Sequence, residues 1–324
     1  MRRFAILSVL LVLPFAAAGE IDARYNESYD VEPGARLELF HGDGDVTITP
    51  WNEDRIQIDV TLRMRFSRFG LGRDPDFEME FDQSGDTVRV REIWTRAKVI
   101  GGFSIKEREY TYEIQAPAWM TLELRGDDGD VVIQDWNAAI GIKSDDGDVM
   151  LTGVESDARL TMEDGDLRVV GFAGELELTS DDGDVSLEGC EQFVFVGRLE
   201  DGDLETRDCN GRFDVRTDDG DIEVDGRLDD SRFETQDGEI DLMLAAGSRG
   251  PIDVASDDGD VTIEVDPSLG FEFDLRSGDG SVRFNHSAGS MESVRDGEAR
   301  GTVLGGGVQI DVRTNEGSIQ LRER

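Results

Sequence analysis

The tripeptide Asp-Gly-Asp recurs along this chain at a nearly fixed step. Its glycine stands at 44, 129, 147, 165, 183, 202 and 220, with variants at Gly238 (DGE), Gly259 (DGD), Gly280 (DGS) and Gly317 (EGS). From Gly129 to Gly238 the steps are 18, 18, 18, 19, 18 and 18 residues, and the next two are 21 each. A short, regular period is the mark of a repeat architecture, in which each unit buries its apolar face only against its neighbours.

Aligning the chain on that glycine produces apolar columns. Two residues later come Val46, Val131, Val149, Leu167, Val185, Leu204, Ile222, Ile240, Val261 and Val282. Four later come Ile48, Ile133, Leu151, Val169, Leu187, Thr206, Val224, Leu242, Ile263 and Phe284. Five earlier come Leu39, Leu124, Ile142, Leu160, Leu178, Val215, Phe233, Val254 and Leu275. A spacing of two within each run, with Thr, Glu, Arg, Gln and Asp between, predicts strands with one buried face. Each repeat therefore reads as strand, Asp-Gly turn, strand and a short corner.

Two architectures accommodate this unit. In a meander each Asp-Gly is a hairpin turn. In a solenoid each repeat is one coil, and equal positions stack in parallel about 4.8 Å apart. The near-constant step favours the solenoid, because in-register coils demand equal lengths and hairpins do not. A further column agrees: Trp51, Trp136, Val154, Phe172, Cys190 and Cys209 all stand seven residues after the glycine. The fold expected is all-β, a single-stranded β-helix-like solenoid of about 18 residues per coil.

Cys190 and Cys209 share that last column in adjacent repeats. Stacked coils bring such Cα atoms to about 5 Å, inside the disulfide range of about 4.4–6.8 Å. A coil-to-coil disulfide is expected; two buried free thiols are the alternative.

The chain opens Met1-Arg2-Arg3, runs apolar from Phe4 to Phe15 and continues Ala16-Ala17-Ala18-Gly19. This is the pattern of a secretory signal peptide, residues 1–18, cleaved after about Ala18. The apolar run falls short of the ~20 residues that span a bilayer. No cysteine follows the cleavage point for lipid attachment, and no later segment is apolar enough to cross. The expectation is a protein of the periplasm or cell exterior, without membrane insertion after cleavage.

The balance is 33 basic against 73 acidic residues, net −40. Loss of Arg2 and Arg3 takes the mature chain to about −42. That field opposes binding of nucleic acid and of anionic membrane surfaces. Acidity alone would suggest disorder, but hydrophobic residues reach 38% and are periodic.

Residues 19–116 hold one repeat-like unit and then longer strands (FEMEF, TVRVREIW, REYTYEIQAP) around a Gly/Arg/Pro loop near 69–75. They read as an N-terminal β cap, which the open end of a stacked core requires. Residues 117–284 are the Asp-Gly-Asp solenoid, 285–307 a Gly-rich loop or excursion, and 308–324 a terminal coil.

The segments GDGDVTITPW, YEIQAPAWMTLELRGDDGDVVIQDW and VRTNEGSIQL resemble the bacterial putative adhesin family, a domain of unknown function related to auto-transporter adhesin head (GIN) domains. Pro117, Leu122, Leu124, Gly129, Gly317, Ser318 and Ile319 match the pattern of that family. The resemblance spans nearly all of the mature chain. It implies a β-helix-like fold and export, and it supplies no catalytic residues. The chain departs from it in being more acidic, with Asp-Gly-Asp where relatives often carry Ser-Gly-Asp.

The turns place carboxylates in rows: Asp128, Asp146, Asp164, Asp182, Asp201 and Asp219 before the glycine, and Asp130, Asp148, Asp166, Asp184, Asp203 and Asp221 after it. Carboxylates about 4.8 Å apart repel by roughly 0.9 kcal/mol per pair in water before screening. Something must offset that. One answer is local: Asp accepts backbone N–H bonds in its turn while glycine takes positive φ. The other is calcium held between coils by these twelve aspartates. The calcium-binding nonapeptide G-G-x-G-x-D is not matched, so no cofactor is required and calcium stays an open option.

Little else suggests catalysis. Paired carboxylates serve glycoside hydrolysis, but with 73 acids some pair always meets the distance. Departures from the repeat are Arg198, Arg207, Arg212, Arg216, Arg227, Trp94 and Trp119. The only histidines, His41 and His286, lie in no nucleophile motif, and His/Cys clusters for zinc and a phosphate-cradling loop are absent. The sequence thus points to an exported, non-enzymatic, adhesin-like interaction or scaffold protein of the bacterial envelope, with an envelope protein or polysaccharide as partner. The alternative is a calcium-dependent polysaccharide lyase or hydrolase, which a non-repeating cleft with convergent Arg and acid residues would favour.

Overall fold

The structure is a computed structural model that describes residues 16–95, 98–295 and 297–324. The first fifteen residues, and with them most of the expected signal peptide, lie outside the described residues. Every element named is a strand, and the strands form two sheets, of 14 and 15 strands. Each coil gives the strand before its Asp-Gly-Asp turn to the larger sheet and the strand after it to the smaller.

Neighbouring coils pair in parallel and in register. Val149–Val154 lies between Val131–Gln134 and Leu167–Phe172, with Val149 opposite both Val131 and Leu167. Ile140–Ser144 lies likewise between Thr121–Gly126 and Ala158–Met162. Parallel pairing between successive coils excludes the meander, whose hairpins would be antiparallel. The expected columns are the core. Leu124, Leu160, Leu178, Val131, Leu167, Ile133 and Val169 are all buried between the sheets. The single 19-residue step is absorbed by a β-bulge between Glu191 and Phe193, where Gln192 adopts a φ of 52°. One extra residue is thereby hidden without slipping the register.

The turns stack through their glycines. A Cβ on Gly147 would lie 2.3 Å from the carbonyl oxygen of Gly129, and one on Gly202 would lie 2.0 Å from that of Gly183. The same closeness runs through the column. Only Gly165 and Gly183 among these turn glycines have positive φ, 117° and 131°. The expectation that glycine serves by taking positive φ is therefore corrected: most of these positions need the absence of a side chain.

Three sequence expectations meet a different outcome. The Gly/Arg/Pro loop near 69–75 is mostly strand. Arg55–Arg73 continues through Gly70 and Gly72, paired antiparallel with Lys98–Ala116, and only Asp74-Pro75 connects onward. Backbone pairing needs no side chain, so the partner strand overrides weak propensity. The Gly-rich stretch 285–307 contains two strands, Gly289–Arg295 and Glu298–Val303, antiparallel to each other. The second also pairs antiparallel with Phe271–Ser277, burying Ala299 and Val303. Finally, the terminal coil does not close the stack. Val308–Thr314 lies between Arg249–Ser256 and Phe271–Ser277, and Ile319–Glu323 lies between Val261–Val265 and Val282–Asn285. The last coil in sequence is inserted before the preceding one in space.

The first coil carries both sheets onward at its N-terminal side. Ala16–Asp30, Arg55–Arg73 and Lys98–Ala116 extend the smaller sheet, and Asp76–Ser84 and Thr87–Thr95 extend the larger. Aromatic rings fill the space between. Phe77 packs on Trp94 at 4.7 Å, on Tyr110 at 5.4 Å and on Tyr25 at 6.2 Å.

Candidate functional site

The Asp-Gly-Asp edge is built from two rows that do different things. In the row after the glycine, each carboxylate accepts the backbone N–H of the equivalent residue one coil on. Asp148 N–H donates to Asp130 at 3.1 Å, Asp166 to Asp148 at 2.9 Å, Asp184 to Asp166 at 2.9 Å and Asp221 to Asp203 at 2.8 Å. Asp203 donates likewise to Asp184, and Asp130 to Asp45. Beyond the repeats, Glu239 donates to Asp221 and Ser318 to Asp260. The expected bond within a single turn is therefore replaced by a bond between coils. This offsets the like-charge cost, since each charged acceptor replaces lost water with a protein donor.

A second column completes the turn from inside. The buried hydroxyls of Ser144, Thr217, Thr235 and Ser256 accept the N–H of the turn glycine three residues on, at 2.9 to 3.3 Å. His41 holds this position in the first coil. Its Nδ1 lies 2.9 Å from the carbonyl of Gly44, and its ring fills space left open by Gly126.

The row before the glycine (Asp128, Asp146, Asp164, Asp182, Asp201 and Asp219) is exposed. The Asp146 carboxyl is held above the usual carboxylate range, first by loss of solvent and then by the charges of Asp128 and Asp164 in the flanking coils. Among the described residues no group of three or more His, Cys, Asp or Glu side chains is placed to hold a metal ion.

These two rows predict opposite results for two substitutions at one position. Asp166→Ala removes an acceptor and leaves the Asp184 amide without it, a loss of about 1 kcal/mol, or roughly 2 °C of melting temperature. Asp166→Asn keeps an acceptor oxygen and removes a charge, so its melt is unchanged or higher. Equal losses in both variants, read by circular dichroism, would show that the negative charge itself is needed.

At the junction of cap and first coil lies a half-buried polar cluster. Tyr110 donates to Glu92 and contacts the Tyr112 hydroxyl, while Arg108 pairs with Asp43. Burial pushes the Glu92 carboxyl above its usual range, against the hydrogen bonds from Tyr110 and Trp94. Burial likewise pushes the His41 imidazole below its ordinary value. The signs are opposite. A raised acid favours the folded state as pH falls through its folded value toward the unfolded one. A lowered base loses stability as pH falls below about 6.5. Glu92→Gln is therefore expected to melt higher than the parent at pH 8, by about 2 °C, with the gain shrinking toward pH 4.5. A pH-independent difference would refute the assignment.

The outer face of the larger sheet carries an open groove of about 1010 Å³ over strands Thr121–Gly126, Ile140–Ser144 and Ala158–Met162. Arg125, Lys143 and Arg159 line it beside Glu123 and Glu177. Arg159 pairs with Glu177 at 2.6 Å. Phe40 stands at one end between the guanidinium groups of Arg91 and Arg125, 5.3 and 5.6 Å from its centroid. Sequence reasoning missed this groove. Its signal was Gly141, which replaces the charged residue found at the same place in neighbouring coils.

The arginines singled out by sequence mostly pair with acids. Arg216 pairs with Glu234, Arg207 with Glu205, Arg212 with Asp230 at 3.9 Å and Arg227 with Asp229 at 3.9 Å. Trp94 and Trp119 pack partly buried against the core. Cys190 and Cys209 are buried neighbours in adjacent coils and stand as free thiols, with Asn210 N–H donating to the Cys190 carbonyl at 2.7 Å.

A two-sheet parallel β-solenoid with stacked acidic turns and caps built of strands is the class that these features define. Within it, the chain belongs to the Toastrack DUF4097 family, which matches residues 82–205 and 211–322. The resemblance read from GDGDVTITPW and VRTNEGSIQL agrees with that membership. Similar solved structures include a putative adhesin from Parabacteroides merdae, 10% identical over 92% of this chain and 95% of that one, with a TM-score of 0.39. A putative adhesin from Bacteroides fragilis is 14% identical over 92% and 97%, with a TM-score of 0.36. A putative cell adhesion protein from Clostridium sporogenes is 12% identical over 93% and 100%, with a TM-score of 0.23. No curated protein matches the chain.

Proposed function

We propose that the chain works at the bacterial cell envelope as an exported, non-enzymatic solenoid, presenting its sheet faces to a partner in an adhesin-like or scaffolding role. The observation that supports this is the use made of the aspartates. Among the described residues, the aspartate row after the glycine accepts amides from coil to coil, as between Asp148 and Asp166. Its carboxylates thus serve architecture, and the long faces are left for contact. The partner is an envelope protein or a polysaccharide; the net charge of −40 opposes nucleic acid. One observation favours a second reading, a calcium-dependent polysaccharide lyase or hydrolase: the groove that brings Arg125, Lys143 and Arg159 beside Glu123 and Glu177.

The test is fractionation of cells expressing the full chain with a C-terminal tag. The expected product is periplasmic or external, with a new N-terminus near Gly19. A cytoplasmic chain retaining Met1 would overturn export. The purified product is then incubated with polysaccharides, with and without calcium. No new reducing ends and no unsaturated sugar are expected; either one would favour the enzyme.

A further inference from the structure

We propose that residues 308–324 are an exchangeable coil: the slot they fill in their own chain accepts the same segment of a second copy, giving a reciprocal dimer. This goes beyond the envelope reading and does not depend on it.

The slot follows from chain order. One wall is Arg249–Ser256 with Val261–Val265, and the other is Phe271–Ser277 with Val282–Asn285. Both walls precede in sequence the coil that lies between them. Until residues 308–324 arrive, the walls present two sets of unpaired strand edges. An unpaired edge is a template for any strand of matching pattern.

A second copy carries that pattern. Ile310 lies between Ile252 and Phe273, and Leu321 between Ile263 and Phe284. Ser318 N–H donates to the Asp260 carboxylate at 2.7 Å, and Ile319 N–H to the Ser281 carbonyl at 2.9 Å. These contacts join coil to wall without involving the link that carries the coil. All of them reform when the coil comes from another chain, which is why exchange of an identical element costs little.

The link works against closure within one chain. Val303 and Val308 lie on opposite sides of Phe271, so residues 304–307 must turn over the end of that strand. Leu304, Gly305, Gly306 and Gly307 all take positive φ, of 49°, 83°, 89° and 150°. The crossing is tight: a Cβ on Gly307 would lie 2.4 Å from the Gly270 carbonyl oxygen. Leu304 has no glycine freedom, so its left-handed conformation is strained, and its side chain is 53% exposed. An extended link relieves that strain and carries the coil up to about 14 Å outward. Exchange also brings two such links, each with its exposed leucine, together between the two bodies. A short strained link is the feature that turns closure into exchange.

The test is refolding of the purified chain from denaturant at a series of concentrations. Salt of roughly 1 M confines the repulsion between copies to about 3 Å. Mass is read by light scattering after size exclusion, and the dimer fraction should rise with concentration. Gly305→Val has open space for its side chain but disfavours a φ of 83°. It should raise the dimer-to-monomer ratio at least tenfold at fixed concentration. A Gly/Ser insertion of about six residues after Gly305 should lower that ratio as much. Thr262→Cys with Gln320→Cys, in a chain lacking both native cysteines, sets two thiols on paired strands. On denaturing gels without reductant, the resulting bond should join two chains in the dimer fraction and lie within one chain in the monomer fraction. A parent chain that is monomeric at every concentration overturns the exchange. So does a dimer fraction whose engineered bond lies within one chain, or a folded Gly305→Val with the ratio of the parent.

Discussion

Gly220→Ala is expected to destabilise the chain by about 3 kcal/mol, lowering its melting temperature by roughly 6 °C or more. The added Cβ would lie 2.0 Å from the carbonyl oxygen of Gly202 and 2.7 Å from its carbonyl carbon. Both are backbone atoms of the adjacent coil, so no rotamer change relieves the contact. The coils would have to separate, and two hydrogen bonds beside this point resist. Leu204 N–H donates to the Asp221 carbonyl at 2.9 Å, and Asp221 N–H to the Asp203 carboxylate at 2.8 Å. Gly102→Ala is the control. Its Cβ has nothing within 4 Å, and its φ is not in the left-handed region. That variant should melt no lower than the parent, because alanine restricts the unfolded chain more than glycine does. If Gly220→Ala melts with the parent, the glycine column is there for turn conformation and the close-approach account fails.

The same column shows what could be read from sequence. Equal spacing of Asp-Gly-Asp, with Val, Ile and Leu at fixed offsets, dictates that coils stack and which face is buried. Those offsets are nearly interchangeable from coil to coil, so they say that coils can stack and leave their order open. The segments VTIEV, VRFN and SIQL carry equivalent patterns. Which lies next to Val261–Val265 depends on the hairpin from Gly289 to Val303, which pairs with Phe271–Ser277 and stands at the far edge of the larger sheet. That hairpin was illegible because two of the three buried positions of Glu298–Val303 are Ala299 and Gly301, small residues that give little hydrophobic signal beside Val303. The groove was illegible for a related reason. Outward positions vary freely in a solenoid, and a missing side chain at Gly141 acquires meaning only beside Glu123 and Arg159. The aspartate rows were legible as turn residues. Their bonds to the next coil were not, because a donor 18 residues away comes within reach only after the coils have stacked.

Oxidation is expected to stabilise the exported chain by about 3 kcal/mol, the value for closing a loop of this size. Cys190 and Cys209 occupy one column in adjacent coils, and neither is exposed. The Cys190 thiol is held well above the ordinary range, first by its hydrogen bond to Cys209 and then by burial. The same hydrogen bond pushes the Cys209 thiol the other way, below its ordinary value, and burial shields both sulfurs from an external disulfide. Because both sulfurs are buried in the folded chain, closure is expected while the coils assemble, in the oxidising compartment that the proposed export would provide. The reaction is thiol–disulfide exchange with an oxidised dithiol catalyst. The two cysteines give up two protons and two electrons, and the disulfide of the catalyst is reduced. Protein recovered from the envelope should have an intact mass lighter by two hydrogens and resist alkylation after denaturation. Its melt should fall by roughly 6 °C when reductant is present during unfolding. Cys209→Ser should melt near the reduced parent and show no dependence on reductant. Full alkylation of both cysteines in envelope-derived, denatured protein would leave the pair as two small core side chains, and the stability of this region would then rest on the buried rings of Phe172, Phe193 and Phe213, which pack on one another at ring separations of 5.5 and 5.9 Å.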